Sequence, residues 1–301
     1  DTKWKEFVLS KPYNSILGEQ FLNSWEVPAL PPSDRTSIDS GTSGSTLVDG
    51  GRKLKVYAIT EQISHHPPVS AFYNVCPEKG IIARGVDHIS ARFTGTSVKV
   101  GAGEQNFGIY VGVERRGEEY NVTHPWASVN GWLGGSPYVV VSDTAVVRCA
   151  ASGLKAILEY KDEPMFGRPR FAIEGKIVRY DSEEEASLSE KERREREKLC
   201  KIPDASVLAT ISGQWNGKVF AQLKGEEKPR LLFDMATSSV AEKIVRPIAE
   251  QGENESRRIW QHVTAGALDL PFTPAPGSAS KPPHPPIGKR QSHRGKTQTR
   301  N

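Results

Sequence analysis

The sequence predicts a mainly β fold, with antiparallel strands arranged as a barrel or sandwich and a few helices at its periphery. Three observations carry this. Short stretches alternate apolar and polar residues with a period of two. Turn-forming pairs separate them at hairpin spacing. No series of long helical segments alternates with them, as a parallel sheet would need.

Taken in chain order, "KPYNSILGE" at 11–19 reads by itself as a loop entering a strand. "EQISHHPPVSAF" at 61–72 sets two histidines against two prolines, ahead of an apolar run. His66 precedes proline and is pushed out of the α region, while Pro67 and Pro68 hold the following backbone near polyproline geometry. Lys79-Gly80 marks a turn. "FGIYVGVE" then puts Phe107, Ile109, Val111 and Val113 on one face, expected to be buried. After the turn pair Arg116-Gly117, "LKAILEY" repeats the alternation through Leu154, Ala156, Leu158 and Tyr160. "SVLATISGQW" repeats it through Val207, Ala209 and Ile211. Asn216-Gly217 joins that strand to "KVFAQL" and is the strongest hairpin signal in the chain.

Two segments break the β pattern. Residues 182–201, "SEEEASLSEKERREREKLCK", mix both signs of charge with strong helix formers and almost no apolar stripe. They predict a solvated helix inserted between strands, or a disordered loop, whose charges serve solubility. "NESRRIWQHVTAGAL" places Ile259, Val263 and Ala267 on one helical face, with Asn254 as N-cap and the helix packed on the sheet. From Pro271 the chain is rich in Pro, Gly, Ser and basic residues and is expected to be disordered. The expected organisation is one domain over 1–272, with a charged insertion at 182–203, and a basic tail over 273–301.

Composition narrows the class. With 301 residues, 37% of them hydrophobic and 25% charged, the chain has length enough to bury a core. No run of 18 apolar residues spans a bilayer, and "DTKWKEFVLS" has no apolar signal core. Cys76, Cys149 and Cys200 are few and widely spaced, which points to a reducing compartment. The sequon Asn121-Val122-Thr123 then reads as a chance match. Of the net charge of +4, the tail cations Lys281, Lys289, Arg290, Arg294, Lys296 and Arg300 supply more than the whole, so the body is slightly acidic. Such a body is poor material for a nucleic-acid track, although the tail could touch anionic lipid or RNA weakly.

Enzyme chemistries find no support. His65 and His66 are neighbours, and in an extended segment neighbouring side chains leave on opposite faces, so a shared metal is not expected. His88, His124, His262, His284 and His293 show no ligand spacing. "GAGEQN" lacks the third glycine of a dinucleotide loop, "GQWNGK" is a residue short of a P-loop, and no Gly-x-Ser-x-Gly elbow occurs. No catalytic residue, cofactor or metal is expected. Two imidazoles on preset backbone can each donate an N–H to a multivalent anion such as a phosphomonoester. They can equally be a half-packed pair at a strand end, and composition and spacing leave both open.

"EQISHHPPVSAF" resembles the signature of the oxysterol-binding protein family. "KPYNSILGE" resembles a second family element, Lys-Pro-x-Asn-x-x-Leu-Gly-Glu, and "EQGENESRRIW" at 250–260 a third. "VLATISGQWNGKVF" and "LLFD" are similar to later strands of the family. The resemblance runs from about Lys11 to about Thr264. It implies an incomplete antiparallel β-barrel around an apolar lipid tunnel, packed by a few helices. It also implies binding and intermembrane transfer of lipid, exchanging phosphatidylinositol 4-phosphate for a sterol or phosphatidylserine, with a non-transferring lipid sensor as the alternative. By the same resemblance the head group is held by Lys11, Asn14, His65 and His66, with the backbone N–H of Leu17 in support. The implied partners are membrane lipids and, transiently, the membrane surface, for a monomeric cytoplasmic protein peripheral to membranes, including endoplasmic reticulum contact sites. Two departures stand out. Only ten residues precede Lys11, too few for the family's lid, and the family's further Lys, Glu and Gln-Arg element has no match after "TAGALDLPF". Weaker phosphoinositide binding than in a complete member is therefore expected.

Overall fold

The computed structural model describes residues 14–29, 53–95, 97–130, 138–163 and 170–269. Among them the strands are β1 (Gln20–Pro28), β2 (Lys53–His65), β3 (Pro68–Cys76), β4 (Ile81–Phe93), β5 (Val98–Ala102), β6 (Ile109–Val113), β7 (Glu118–Val122), β8 (Trp126–Asn130), β9 (Tyr138–Cys149), β10 (Leu154–Tyr160) and β11 (Ala172–Arg179). Helices α1 (Ser182–Ser187) and α2 (Glu190–Arg196) follow, then β12 (Val207–Gln214), β13 (Lys218–Leu223), β14 (Arg230–Asp234), β15 (Lys243–Ile244) and α3 (Ser256–Ile259). These belong to one unit ending at Trp260; a second unit begins at Gln261 with helix α4 (Gln261–Asp269).

The sheet order is β14-β13-β12-β11-β10-β9-β7-β6-β4-β3-β2-β1-β15, and every ladder is antiparallel. Laid flat at about 4.8 Å per strand, its two edges would stand about 58 Å apart. Yet only the chain from Asp234 to Lys243 joins the edge strands, and it reaches at most about 32 Å. The sheet must therefore curl into an incomplete barrel. A smaller ring closes within it: β4 pairs β6 along its first half and β5 along its second, and β9 likewise pairs β8 and then β7. β5 and β8 complete the circuit.

One row of register partners crosses this sheet: Phe21, Thr60, Phe72, Gly85, Ile109, Val122, Val147, Ala156, Ile177, Ala209 and Leu223. Directly opposed residues share a face, so this row marks a continuous, mostly apolar surface. From Phe72 to Ile177 it is half-buried, lined but not packed solid. Phe72 lies over Gly85, where an added Cβ would come within 2.8 Å of the ring.

The opposite face is covered over β9 to β11 by the charged segment, and two expectations change there. In "LKAILEY" the fully covered residues are Lys155 and Ile157, the latter 0% exposed, while Leu154, Ala156, Leu158 and Tyr160 are half-buried on the row face. The strand is covered on one side by helices and looks into the curl on the other, so alternation alone names the wrong side as most buried. The segment itself is more than a solvated helix. Asp181 caps α1, and Ser189 with Glu192 forms a capping box on α2. Leu199 and Ile202 then close over Val146, Ile157, Val178 and Val207 as one core. Within this cover four charges are removed from water. Arg148 Nε donates to Glu185 at 2.6 Å and Lys155 Nζ donates to the other Glu185 oxygen at 2.5 Å. Glu197 pairs with Arg148 and lies 3.7 Å from Lys155. Burial pushes the Glu185 carboxyl up, but the hydrogen bonds from Lys155 and Arg148 outweigh it and hold it below the usual carboxylate range.

Elsewhere the turns form as expected. Gly80 and Gly117 take left-handed backbone between β3 and β4 and between β6 and β7. Residues 215–217 join β12 to β13, with Gly217 N–H donating to Gln214. Val207, Ala209 and Ile211 are buried as expected. Gly213 carries φ +143, and a Cβ there would sit 2.1 Å from the Lys218 carbonyl oxygen. Gly213→Ala should cost about 2 kcal/mol, read as a lowered urea midpoint with an unchanged slope.

Two further expectations are corrected. Phe107 lies outside β6 and is 70% exposed, because the strand begins only at Ile109. The helix expected from Asn254 is interrupted at Trp260, and its N-cap is Glu255. The Asn254 carbonyl accepts instead from Gln20 N–H, tying this segment to β1. At the sheet's edge β14 is covered on neither face: Leu231, Leu232 and Phe233 are all exposed. Its ladder with β13 shifts by one residue, leaving Leu232 as a bulge. The basic tail expected at 273–301 lies outside the described residues.

Candidate functional site

The histidine pair stands where β2 turns into β3. His65 ends β2 opposite Pro68, and His66 and Pro67 form the turn, with a cis peptide between them. Val69, fully buried, anchors the return strand, while His65, His66, Pro67 and Pro68 are exposed. The strand ends between the two histidines, so their rings do not leave on opposite faces as extended backbone would dictate. They meet edge to face, with centroids 4.8 Å apart and His65 Nδ1 3.3 Å from His66 Nε2. One N–H bridges that contact at most. His65 Nε2 and His66 Nδ1 lie outside it. Among the described residues no group of three or more His, Cys, Asp or Glu converges as a metal site would.

The turn carrying Asn14 and Leu17 is brought to the same strand. Gly18 N–H donates to the Gln62 carbonyl at 2.8 Å, and Gln62 N–H donates to the Glu19 carbonyl at 3.0 Å. Gly18 has φ +78, which lets the chain reverse there before entering β1. Asn14 is exposed, and so is Leu17. The structure thus bonds the turn that carries Asn14 and Leu17 to the histidine end of β2, two residues of strand separating Gln62 from His65. Lys11 lies outside the described residues.

What holds this turn is a buried carboxylate that sequence reading passed over. Glu19 accepts from Ile16 N–H at 2.9 Å, from the Ser256 hydroxyl at 2.6 Å and from the Trp260 indole N–H at 3.1 Å. One side chain therefore fastens the "LGE" turn to "ESRRIW", more than 200 residues away in the chain. Arg246 pairs with Glu255, which also accepts from Gly252 N–H at 2.7 Å, and this braces the same helix. Gln62 completes the floor beneath the histidines: its amide donates to the Ser64 carbonyl at 2.6 Å and accepts from the Ser70 hydroxyl at 2.8 Å. The signal for Glu19 was present as the acid closing one motif and the Ser and Trp of another. Only the fold shows that they touch.

Among solved structures, the chain is similar to an Osh3 ORD from Saccharomyces cerevisiae in complex with PI(4)P, at 19% identity and TM-score 0.45, covering 73% of this chain and 45% of that one. It is similar also to an Osh1 ORD domain in complex with cholesterol, at 18% identity and TM-score 0.45, covering 82% and 48%. The oxysterol-binding protein-like protein 1 of Schizosaccharomyces pombe is 39% identical over 224 residues, 74% of this chain and 42% of that protein. Oxysterol-binding protein-related protein 10 of Homo sapiens is 32% identical over 269 residues, 86% of this chain and 31% of that protein. The chain thus spans less than half the length of these two relatives. Residues 2–197, well over half of the chain, match the family model described as oxysterol-binding protein. That stretch contains both the "LGE" turn and the histidine pair: the chain belongs to the oxysterol-binding protein family.

Proposed function

We propose that this chain binds single membrane lipids and carries them between membranes, exchanging phosphatidylinositol 4-phosphate for a sterol or phosphatidylserine. The observation that carries the reading is the exposed, mutually bonded imidazole pair, set where β2 turns into β3 in a curled sheet whose continuous face is mostly apolar and incompletely packed. A lipid in water exposes acyl chains at about 0.8 kcal/mol per methylene, on the order of 13 kcal/mol for sixteen carbons. An apolar face that curls around the chain removes much of that penalty. A phosphate has the opposite need, since its oxygens require fixed donors once they leave water. His65 and His66 would supply them by giving up their mutual bond and turning both N–H groups to the phosphate. Asn14, Lys11 and the Leu17 N–H would complete the grip. Exchange then requires no bond-making, only two lipids competing for one surface.

The test is vesicle binding and transfer. Changing both His65 and His66 to alanine should lower pickup from vesicles containing phosphatidylinositol 4-phosphate by at least tenfold, and leave the melting temperature within about a degree, because both rings are exposed. Retained pickup by that variant would end the assignment. A chain that binds these vesicles but moves no lipid to acceptor vesicles would be a sensor and not a carrier.

A further inference from the structure

Strand β1 sends Phe21, Asn23 and Trp25 to the face that carries the long partner row. β15 adds Lys243, which pairs in register with Trp25 and so shares that face. Lys243 Nζ lies 5.2 Å from the Phe21 ring centroid and 6.0 Å from that of Trp25. An ammonium within reach of both rings stands between them, and Asn23 is the residue between them on the strand. Asn23 Nδ2 is buried and has no hydrogen-bond partner in the described structure. Lys243 is exposed, and among the described residues the groups it meets are rings, not a carboxylate.

The chemistry of such a cluster is one-sided. A lysine ammonium and a carboxamide nitrogen offer only N–H donors, so a ligand must bring acceptors. The positive charge favours an oxyanion, and the two aromatic walls favour an apolar body beside it. The four-carbon stem of Lys243 lets the ammonium move aside as an oxygen reaches the amide beneath. We propose that Phe21, Asn23, Trp25 and Lys243 form a binding site for the oxyanion end of a hydrocarbon-chain molecule, a carboxylate or a phosphate ester. The site is separate from the histidine pair. Asn23 lies opposite Ala58, seven residues before His65 and hence about 23 Å along the strand.

Calorimetric titration of the 301-residue chain tests this with four probes. Decanoate and decyl phosphate should bind, identifying a carboxylate or a phosphate source by whichever is tighter. Decanol, which has the chain without the charge, should bind at least tenfold more weakly than the tighter of the two. Inorganic phosphate, which has the charge without the chain, should be weaker still. Lys243→Met should reduce binding of the tighter probe about tenfold. Asn23→Leu should reduce it as well and at the same time raise the melting temperature, because it removes a buried donor that has no partner. An asparagine kept for stability alone would lower that temperature on replacement. Unchanged affinity in either variant, or equal affinity for decanol or for inorganic phosphate, would overturn the site. The double variant of His65 and His66 should retain decanoate binding, so failure here and failure of the lipid-exchange function are separately visible.

Discussion

Replacing Glu185 by alanine should destabilise the fold by about 3 kcal/mol. The carboxylate neutralises Arg148 and Lys155 at once, on a face closed off by α1 and α2. Its removal leaves Lys155 with Glu197, at 3.7 Å, as its one remaining carboxylate among the described residues, in surroundings where water cannot substitute. Thermal melting should register a drop of about 9 °C. Pairing Glu185→Leu with Lys155→Met should recover much of the loss, since an apolar pair of similar volume avoids burying an unmatched charge. The same group sets a dependence on acidity. Its carboxyl is held below its ordinary value in the fold, so its contribution is complete above about pH 4.5 and is lost as pH falls through the lowered folded value. A melting temperature that is flat through acid pH in the wild-type chain, or a Glu185→Ala chain as stable as its parent, would show that the quartet contributes nothing net.

Glu19→Ala is expected to act on both stability and binding. Three donors lose their acceptor together: the Ile16 N–H, the Ser256 hydroxyl and the Trp260 indole. Hydrogen bonds to a buried carboxylate contribute about 1.5–3 kcal/mol each at most, and they share one group, so a total near 3 kcal/mol is reasonable. Because the "LGE" turn would no longer be clasped to α3, hydrogen exchange of Gly18 and its neighbours should quicken before the rest of the sheet responds. Vesicle binding should fall about tenfold through the displaced Asn14 and Leu17, with the histidine turn intact. A variant that loses stability but keeps full binding would separate the clasp from the site.

The extent to which the sequence disclosed this can be followed residue by residue. The β class, the hairpin at Asn216-Gly217 and the burial of Val207, Ala209 and Ile211 follow from alternation and turn chemistry, which are local. The histidine turn was visible as a motif, yet the meeting of its rings was not. That contact depends on β2 ending between two adjacent residues, which no periodicity reports. The reversal in "LKAILEY" has a different origin. One face of β10 is covered by helices supplied from farther along the chain and the other looks into the curl, and alternation cannot tell which of the two is more buried. The charged segment misled for a related reason, since Glu185 and Glu197 look like surface residues until Arg148 and Lys155 are placed beneath them. Glu19 was hidden because its partners lie at the far end of the chain.

The bulge at Leu232 has a consequence for solubility. Among the described residues this outermost strand, with Leu231, Leu232 and Phe233 uncovered, offers a greasy sheet edge to any stray extended segment, which is how fibrils are seeded. One surplus residue breaks the even spacing that a templated neighbour would have to match. Straightening it by deletion would make this margin a growth front.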